Sequence, residues 1–342
     1  MTKKTLIDLG EREILRTIIP RFANGIGDDC ALISLPSGTL VATTDPVPPP
    51  AARSIGLDDD PFWAGWLLVT INASDLAASG ARPLGFLAAI ECERDFPVEK
   101  FERVLAGVRA SCDEAGLLYA GGNIREASCF SAVGVALGIC HPYRPIRREG
   151  ARPGDFIVSI GSGGIFWRDA LRLFLHKQPV EDKNSSPVYQ PRSQISIMAK
   201  LAEANLINAA MDNSDGLLPS LAELSEKSRI GVELYLDNLD VPQVVAAEGL
   251  EPARLWLGWG DWNVITAISP ENFEAVRAIS ENSGGSAIKI GMFTSDRVGV
   301  HVCRAGRSIP APRLESERFS RDSWMSSGIE GYVKLLQKVP LP

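Results

Sequence analysis

Apolar positions recur at helical spacing from Glu11 to Phe22, where Ile14, Ile18 and Ile19 share one face and Pro20 marks the end. Two strand-like runs follow, Asp29 to Leu35 and Thr39 to Thr44. The turn residues Pro36-Ser37-Gly38 separate them, and the second ends at Asp45. The next stretch, Pro46 to Asp60, contains the consecutive prolines Pro48, Pro49 and Pro50, which fix φ and remove backbone donors, so it is predicted to be a loop. A helix from Pro61 to Ala78 carries Trp63, Trp66, Leu67 and Ile71 and brings Asn72 and Asp75 to its later turns. Strand Leu84 to Glu91, helix Val98 to Ala115, and strands Leu117 to Tyr119 and Ser131 to Gly138 complete a first unit of mixed α and β order.

The run Arg144 to Gly154 is basic and proline-containing and precedes a fresh strand, Asp155 to Ile160, which predicts a boundary between domains spanning 1–146 and 147–342. Gly161-Ser162-Gly163-Gly164 ends that strand and opens a helix through Leu175. The polar segment His176 to Arg192 reads as a mobile loop. Helices Gln194 to Ala204 and Leu217 to Lys227 follow, with strands at Val232 to Leu236, Val264 to Ile268 and Ser286 to Ile290. The fold class expected from this order is α/β with mixed sheets, in two domains.

Composition narrows the function classes. The 342 residues are 45% hydrophobic and 23% charged, values of a chain able to bury a substantial core. A net charge of -7 argues against a general nucleic-acid binder, which would carry a basic stripe. No run approaches the roughly 18 apolar residues of a membrane helix, so no membrane partner is expected and the chain reads as cytoplasmic. The six cysteines contain no CxxC pair, which signals neither a zinc ribbon nor a disulfide framework. The three histidines, His141, His176 and His301, stand outside any motif that would make them bases or ligands.

The candidate chemistry lies in three acidic motifs: Gly27-Asp28-Asp29, Asn72-Ala73-Ser74-Asp75 and Asp212-Asn213-Ser214-Asp215-Gly216. Each alone is also ordinary turn or helix-cap chemistry. Together they point to phosphate chemistry, because magnesium prefers oxygen ligands and completes its shell with water and substrate phosphates. Gly121-Gly122-Asn123 follows a short apolar strand, where a backbone without side chains can approach a phosphate, although for this motif alone a plain turn is the better explanation. No Walker-type Gly-Lys-Ser/Thr motif occurs.

These residues resemble the thiamine-monophosphate kinase family, within the superfamily that includes aminoimidazole ribonucleotide synthetase. The matching segments are Gly25-Ile26-Gly27-Asp28-Asp29-Cys30-Ala31-Leu32, the Thr43-Thr44-Asp45 strand end, Asn72 to Ala78, Arg148 to Asp155, and Asp212 to Leu217; the likeness spans Leu9 to Gly291. It implies an N-terminal α/β domain that dimerises through its strands and a C-terminal α/β domain closing over an ATP site. It further implies Mg2+ held by Asp29, Asp45, Asp75, Asp212 and Asp215. The nucleotide contacts it implies come from Thr44, Asn72, Gly121, Gly122, Asn123, Arg148 and Ser214. Asp29, Asp75, Asp215 and Arg148 then form the catalytic set, acting on a small-molecule acceptor in a homodimer.

The departures fall mainly on the acceptor side. Asn123 stands where the family has an aspartate, Ala52 where it has a histidine, and Gly260 where it has a glutamate, while Asp261 alone survives of three carboxylates in that segment. The family's aromatic-Asp-His close is missing. Trp256, Trp259 and Trp262 offer an aromatic wall for a flat acceptor, with Trp259 the strongest pocket candidate and Trp256 the natural core residue. Ala52, Trp259, Gly260 and Asp261 are accordingly the expected substrate-side positions. The expected reaction is MgATP-dependent phosphoryl transfer to a diverged acceptor. The alternatives are ATP-driven activation of an amide or formyl group with C–N bond formation, and a nucleotide-binding pseudoenzyme.

Overall fold

A computed structural model of the chain describes residues 9, 11–21, 27–241, 251–312, 314 and 324–342. Two sheets divide the strands. The first contains β1 (Ala31–Leu35), β2 (Gly38–Pro46), β3 (Arg82–Cys92), β4 (Leu118–Glu126) and β5 (Ser131–Cys140), in the order β1-β2-β5-β3-β4. Its pairs are antiparallel except β3 and β4, which run parallel because the helix Val98–Ala115 carries the chain back between them. The second contains β6 (Phe156–Ile160), β7 (Ala209–Asp212), β8 (Gly231–Tyr235), β9 (Val264–Ile268), β10 (Ala287–Thr294), β11 (Gly299–Arg304) and β12 (Arg307–Pro310), in the order β12-β11-β8-β10-β6-β9-β7.

The helix Phe62–Ala78 joins the two sheets. It is apolar around most of its circumference, and of its residues only Phe62 and Asp75 are not buried, as befits a helix with protein on every side. It touches β2, β3 and β5 of one sheet and β7 and β9 of the other. Against the helix Val98–Ala115 it approaches backbone to backbone, since a Cβ on Gly107 would lie 2.1 Å from the Phe62 carbonyl oxygen and one on Gly65 would lie 2.0 Å from that of Val104. Both hydrophobic clusters draw from both halves of the chain: Ile55 and Trp63 pack with Trp167 and Leu255, while Leu68 and Phe86 pack with Ile160 and Met198. The last turn of this central helix is thereby fixed at the seam between the sheets.

The predicted elements of the first unit are observed with small shifts, and Val98–Ala115 ends at Gly116 in the left-handed conformation that suits a C-terminal glycine. Four expectations are corrected. The Glu11 segment, whose Phe22 lies outside the described residues, is an irregular succession of short turns through Arg21. The proline loop contains a short helix, Ala51–Ser54. Strand β4 runs straight through Gly121 and Gly122, with a register shift against β3; a Cβ on Gly122 would sit 1.8 Å from the Ala88 carbonyl oxygen, so close strand approach is what requires this glycine. The segment expected to be a mobile loop is anchored in its later part, where Val188 and Tyr189 are buried and the Pro191 carbonyl accepts from the Trp66 indole at 2.7 Å and the Thr70 hydroxyl at 3.0 Å. The helix Phe273–Asn282, the strands β11 and β12, and the C-terminal helical segment Trp324–Lys338 extend the picture drawn from sequence.

Candidate active site

Carboxylates from three separate elements converge at the seam. Asp29 precedes β1, Asp75 lies in the last turn of the central helix, Asp212 ends β7, and an oxygen of each lies within 4.8 Å of the others. Their neighbours fix the carboxylates. The Thr43 hydroxyl donates to Asp75 Oδ2 at 2.6 Å, while Asp212 accepts from Ser74 at 3.0 Å and from Ser214 at 3.0 Å. Arg148 grips Asp29 through both Nε (3.2 Å) and a terminal nitrogen (2.8 Å), and beside it Arg147 pairs with Asp28 at 3.0 Å.

The electrostatics are those of an acidic site needing a cation. Burial is the largest cause pushing Asp75 well above the carboxylate range, reinforced by Asp212, Asp45 and Asp29. Burial and the charge of Asp29 raise Asp212 to about 7, against the opposing pull of Arg148 and Ser74, and Asp215 adds to the rise. All five aspartates singled out in the sequence are therefore linked by mutual repulsion. Arg148 is itself desolvated, yet Asp29, Asp212 and Glu223 raise its affinity for its proton. A hard divalent cation fits the Asp29, Asp75 and Asp212 oxygens in donor type and spacing, and would relieve the repulsion that otherwise favours protonation.

Other predicted contacts are placed differently. Asn72 is fully buried, accepting from the Asp45 amide at 3.0 Å and donating to the Leu68 carbonyl at 2.8 Å, so it holds the β2 end in place. Thr44 faces away from its neighbour Thr43 and gives its hydroxyl to the Gly134 carbonyl at 2.9 Å. Registers align Asp45, Gly134, Ala88 and Gly122 across β2, β5, β3 and β4, leaving Gly122 three strand spacings, roughly 14 Å, from Asp45. Within one chain, Gly121, Gly122 and Asn123 therefore do not reach the carboxylates. Gly25 and Ile26 lie outside the described residues. In the Gly161–Gly164 loop, a Cβ on Gly163 would meet the Trp256 ring at 2.3 Å, so tight packing accounts for that glycine.

Beside the carboxylates lies an apolar cavity of about 290 Å³. Pro48 to Pro50, Trp63, Tyr189, Trp259, Gly260 and Trp262 line it, together with Ser214 and Asp215. Trp259 thus stands in the pocket as expected, while Trp256 is completely buried and donates its indole N–H to the Asp240 carbonyl at 2.9 Å. Two substrate-side expectations are revised. Ala52 is fully buried in the core, out of reach of a ligand. Asp261 accepts from the amides of Gly164 (2.6 Å) and Phe166 (2.7 Å), capping the helix Ile165–Phe174; burial raises it to about 7 while those amides restrain the rise. Sequence reasoning missed Thr43 and Ser74 as contacts, although they stand in the same motifs as Asp45 and Asp75; the proline and Tyr189 walls carried no short-range signal.

Among the described residues no helix is long and apolar enough to cross a membrane. Residues 27–140 match the model of the AIR synthase related protein N-terminal domain, and residues 152–303 that of the corresponding C-terminal domain. The structure resembles tt0281 from Thermus thermophilus, with a TM-score of 0.77 at 25% identity over 90% of this chain and 100% of that one. It also resembles AaThiL complexed with AMPPCP and TMP, with a TM-score of 0.75 at 23% identity over 90% and 97% of the two chains. In sequence, the thiamine-monophosphate kinase of Methanospirillum hungatei is 31% identical over 277 residues, covering 78% of this chain and 88% of that protein. The chain therefore belongs to the thiamine-monophosphate kinase family and is an ATP-dependent kinase of that type.

Proposed function

We propose that this kinase transfers the γ-phosphoryl group of ATP, with Mg2+, to a small acceptor that has diverged from thiamine monophosphate. The observation that carries the reading is the position of Ser214: its hydroxyl bonds Asp212 of the carboxylate cluster and it also lines the apolar cavity, so phosphate chemistry and an acceptor-sized pocket meet in one loop. Asp29, Asp75 and Asp212 would hold the metal, with Asp45 and Asp215 completing the acidic surroundings. Bound there, magnesium supplies neutralisation of phosphate charge. The acceptor oxygen attacks the γ-phosphorus as the bond to ADP breaks, a displacement that asks the protein for positioning more than for covalent chemistry. Arg148 keeps Asp29 oriented and adds positive charge beside the cluster.

The departures on the acceptor side support a changed substrate. The position occupied by a family glutamate is Gly260, where a Cβ would come within 2.6 Å of the Phe166 ring, and the family histidine position is the buried Ala52. A homodimer belongs to the same reading. Leu118 and Ile124 of the edge strand β4 are exposed, as expected of a strand that pairs with a second copy. ATP turnover with Mg2+, with and without thiamine monophosphate, tests the reading through ADP release and thiamine diphosphate formation. Magnesium-dependent nucleotide use with little diphosphate supports it. Thiamine diphosphate formed in step with ADP would restore the parent substrate, and ADP plus free phosphate without any phosphorylated product would favour the C–N bond-forming chemistry.

A further inference from the structure

The loop that carries Asp212, Ser214 and Asp215 is held from behind by a chain of buried polar groups. Asn213 stands one position beyond the registered pair Asp212 and Val264 of β7 and β9, and it faces Asn263. Two hydrogen bonds join them. The backbone N–H of Asn213 donates to the Asn263 carbonyl at 3.0 Å, and its side-chain amide donates to Asn263 Oδ1 at 2.9 Å. The Asn263 side-chain amide donates in turn to the Ser159 hydroxyl at 2.7 Å, and that hydroxyl donates to the Gly161 carbonyl at 2.7 Å. On the other flank the Ser220 hydroxyl lies 3.3 Å from Asn213 Oδ1 and 3.0 Å from the Gly216 carbonyl.

Asn213, Ser220, Asn263 and Ser159 are at most 1% exposed, so water cannot replace any bond of the chain and each is costly to leave unmade. The loop is thereby confined to one arrangement. Asn213 lies directly between Asp212 and Ser214, and a rotation of its peptide would draw Asp212 away from the Ser74 and Ser214 hydroxyls that hold its two oxygens at 3.0 Å. Asn263 also faces the cavity wall. Its neighbour Trp262, which lines the cavity, has a φ of 54°, a left-handed conformation that a bulky side chain keeps only where its surroundings enforce it. Asp261 anchors one side of that residue through the Gly164 and Phe166 amides, and Asn263 anchors the other through Asn213.

We propose that Asn263 is a positioning residue for the kinase reaction, which acts through Asn213 to hold Asp212 and Ser214 where the metal and the nucleotide phosphates are bound. The inference rests on reading the carboxylates as the metal–nucleotide site. Ser159 belongs to the same chain but lies beyond Asn263 from the loop, so its contribution is to stability.

The test uses the full chain, AMPPCP as the nucleotide probe at varied Mg2+, and denaturant unfolding of the same samples. Asn263→Ala should raise the magnesium concentration that gives half-maximal AMPPCP binding about ten-fold or more, the scale on which groups that orient metal ligands act. Ser159→Ala should lower the unfolding midpoint as Asn263→Ala does, yet leave the magnesium requirement within about two-fold of the parent, because the bonds between Asn213 and Asn263 remain. If Asn263→Ala does not fold, Asn213→Ala removes the donor of the same side-chain bond and carries the same prediction. An unchanged magnesium requirement in the folded variant, or an equal rise in Ser159→Ala, would overturn the proposal and leave the metal–nucleotide reading standing. Absence of magnesium-dependent AMPPCP binding in the parent would overturn that reading and the proposal with it.

Discussion

The site has a floor and a wall made by opposite strategies. The floor gathers Asp29, Asp75 and Asp212 within 4.8 Å and steadies them with hydroxyls and Arg148. The wall gathers prolines, tryptophans and Tyr189, with Ser54, Ser214 and Asp215 adding polar groups to a mostly apolar lining. The floor stores repulsion that a cation relieves, and its residue types leave little room for change. The wall depends on shape alone, and apolar surfaces of about the right volume tolerate exchange. The wall, to which Trp259 and Gly260 belong, is therefore the part of the site most open to exchange.

Four perturbations break or sharpen this contrast. The largest effect is expected from Asp75→Ala, which should lower ATP turnover by on the order of 10²–10³, as removal of one preorganised charge-stabilising group does. Its circular dichroism and unfolding midpoint should stay near the parent's, because the change also removes a desolvated carboxylate repelled by its neighbours. Retained turnover in a folded variant would make the cluster structural. Arg148→Ala comes next: leaving Asp29 without its buried partner should cost about 3 kcal/mol in denaturant unfolding, and a change below about 0.5 kcal/mol would show that the pair does not hold the first motif.

The third perturbation is pH. Asp212 takes up a proton more readily folded (about 7) than at its ordinary value of 3.8. Between those values the native state binds more protons than the unfolded chain, so metal-free stability should fall as pH rises from about 4 to about 7. Asp75 and Asp261, also raised, act in the same sense. Saturating Mg2+ should flatten or reverse that slope, whereas identical melting profiles with magnesium and with chelator would contradict the account of the floor. The smallest effect belongs to the wall. Trp259→Ala should raise the Michaelis constant for the acceptor about ten-fold with that for ATP nearly unchanged, and the opposite split would remove Trp259 from the acceptor side.

The floor was legible in the sequence because Asp29, Asp75 and Asp212 each sit in a short motif at the end of a regular element, and the elements themselves follow from local patterning. The central helix shows how far that reaches: its span is evident from periodicity, its burial against both sheets only from the fold. Misplaced contacts have tertiary causes. Asn72 has the look of a ligand residue in its motif, but its amide holds the Asp45 backbone, and Asp261 caps a helix that begins nearly a hundred residues earlier in the chain. Gly122 serves strand packing, a role that depends on the register with Ala88. The wall is assembled from Pro48, Tyr189, Trp259 and Ile329, positions too distant in sequence for any local pattern to associate.

The most direct test of the central claim is a calorimetric titration of AMPPCP into the parent protein and into Asp75→Asn, each with Mg2+ and with excess chelator. The account predicts binding to the parent only when magnesium is present, and its loss in the variant despite a native fold. Equal affinity under all four conditions would contradict the assignment of Asp29, Asp75 and Asp212 as the metal-nucleotide site.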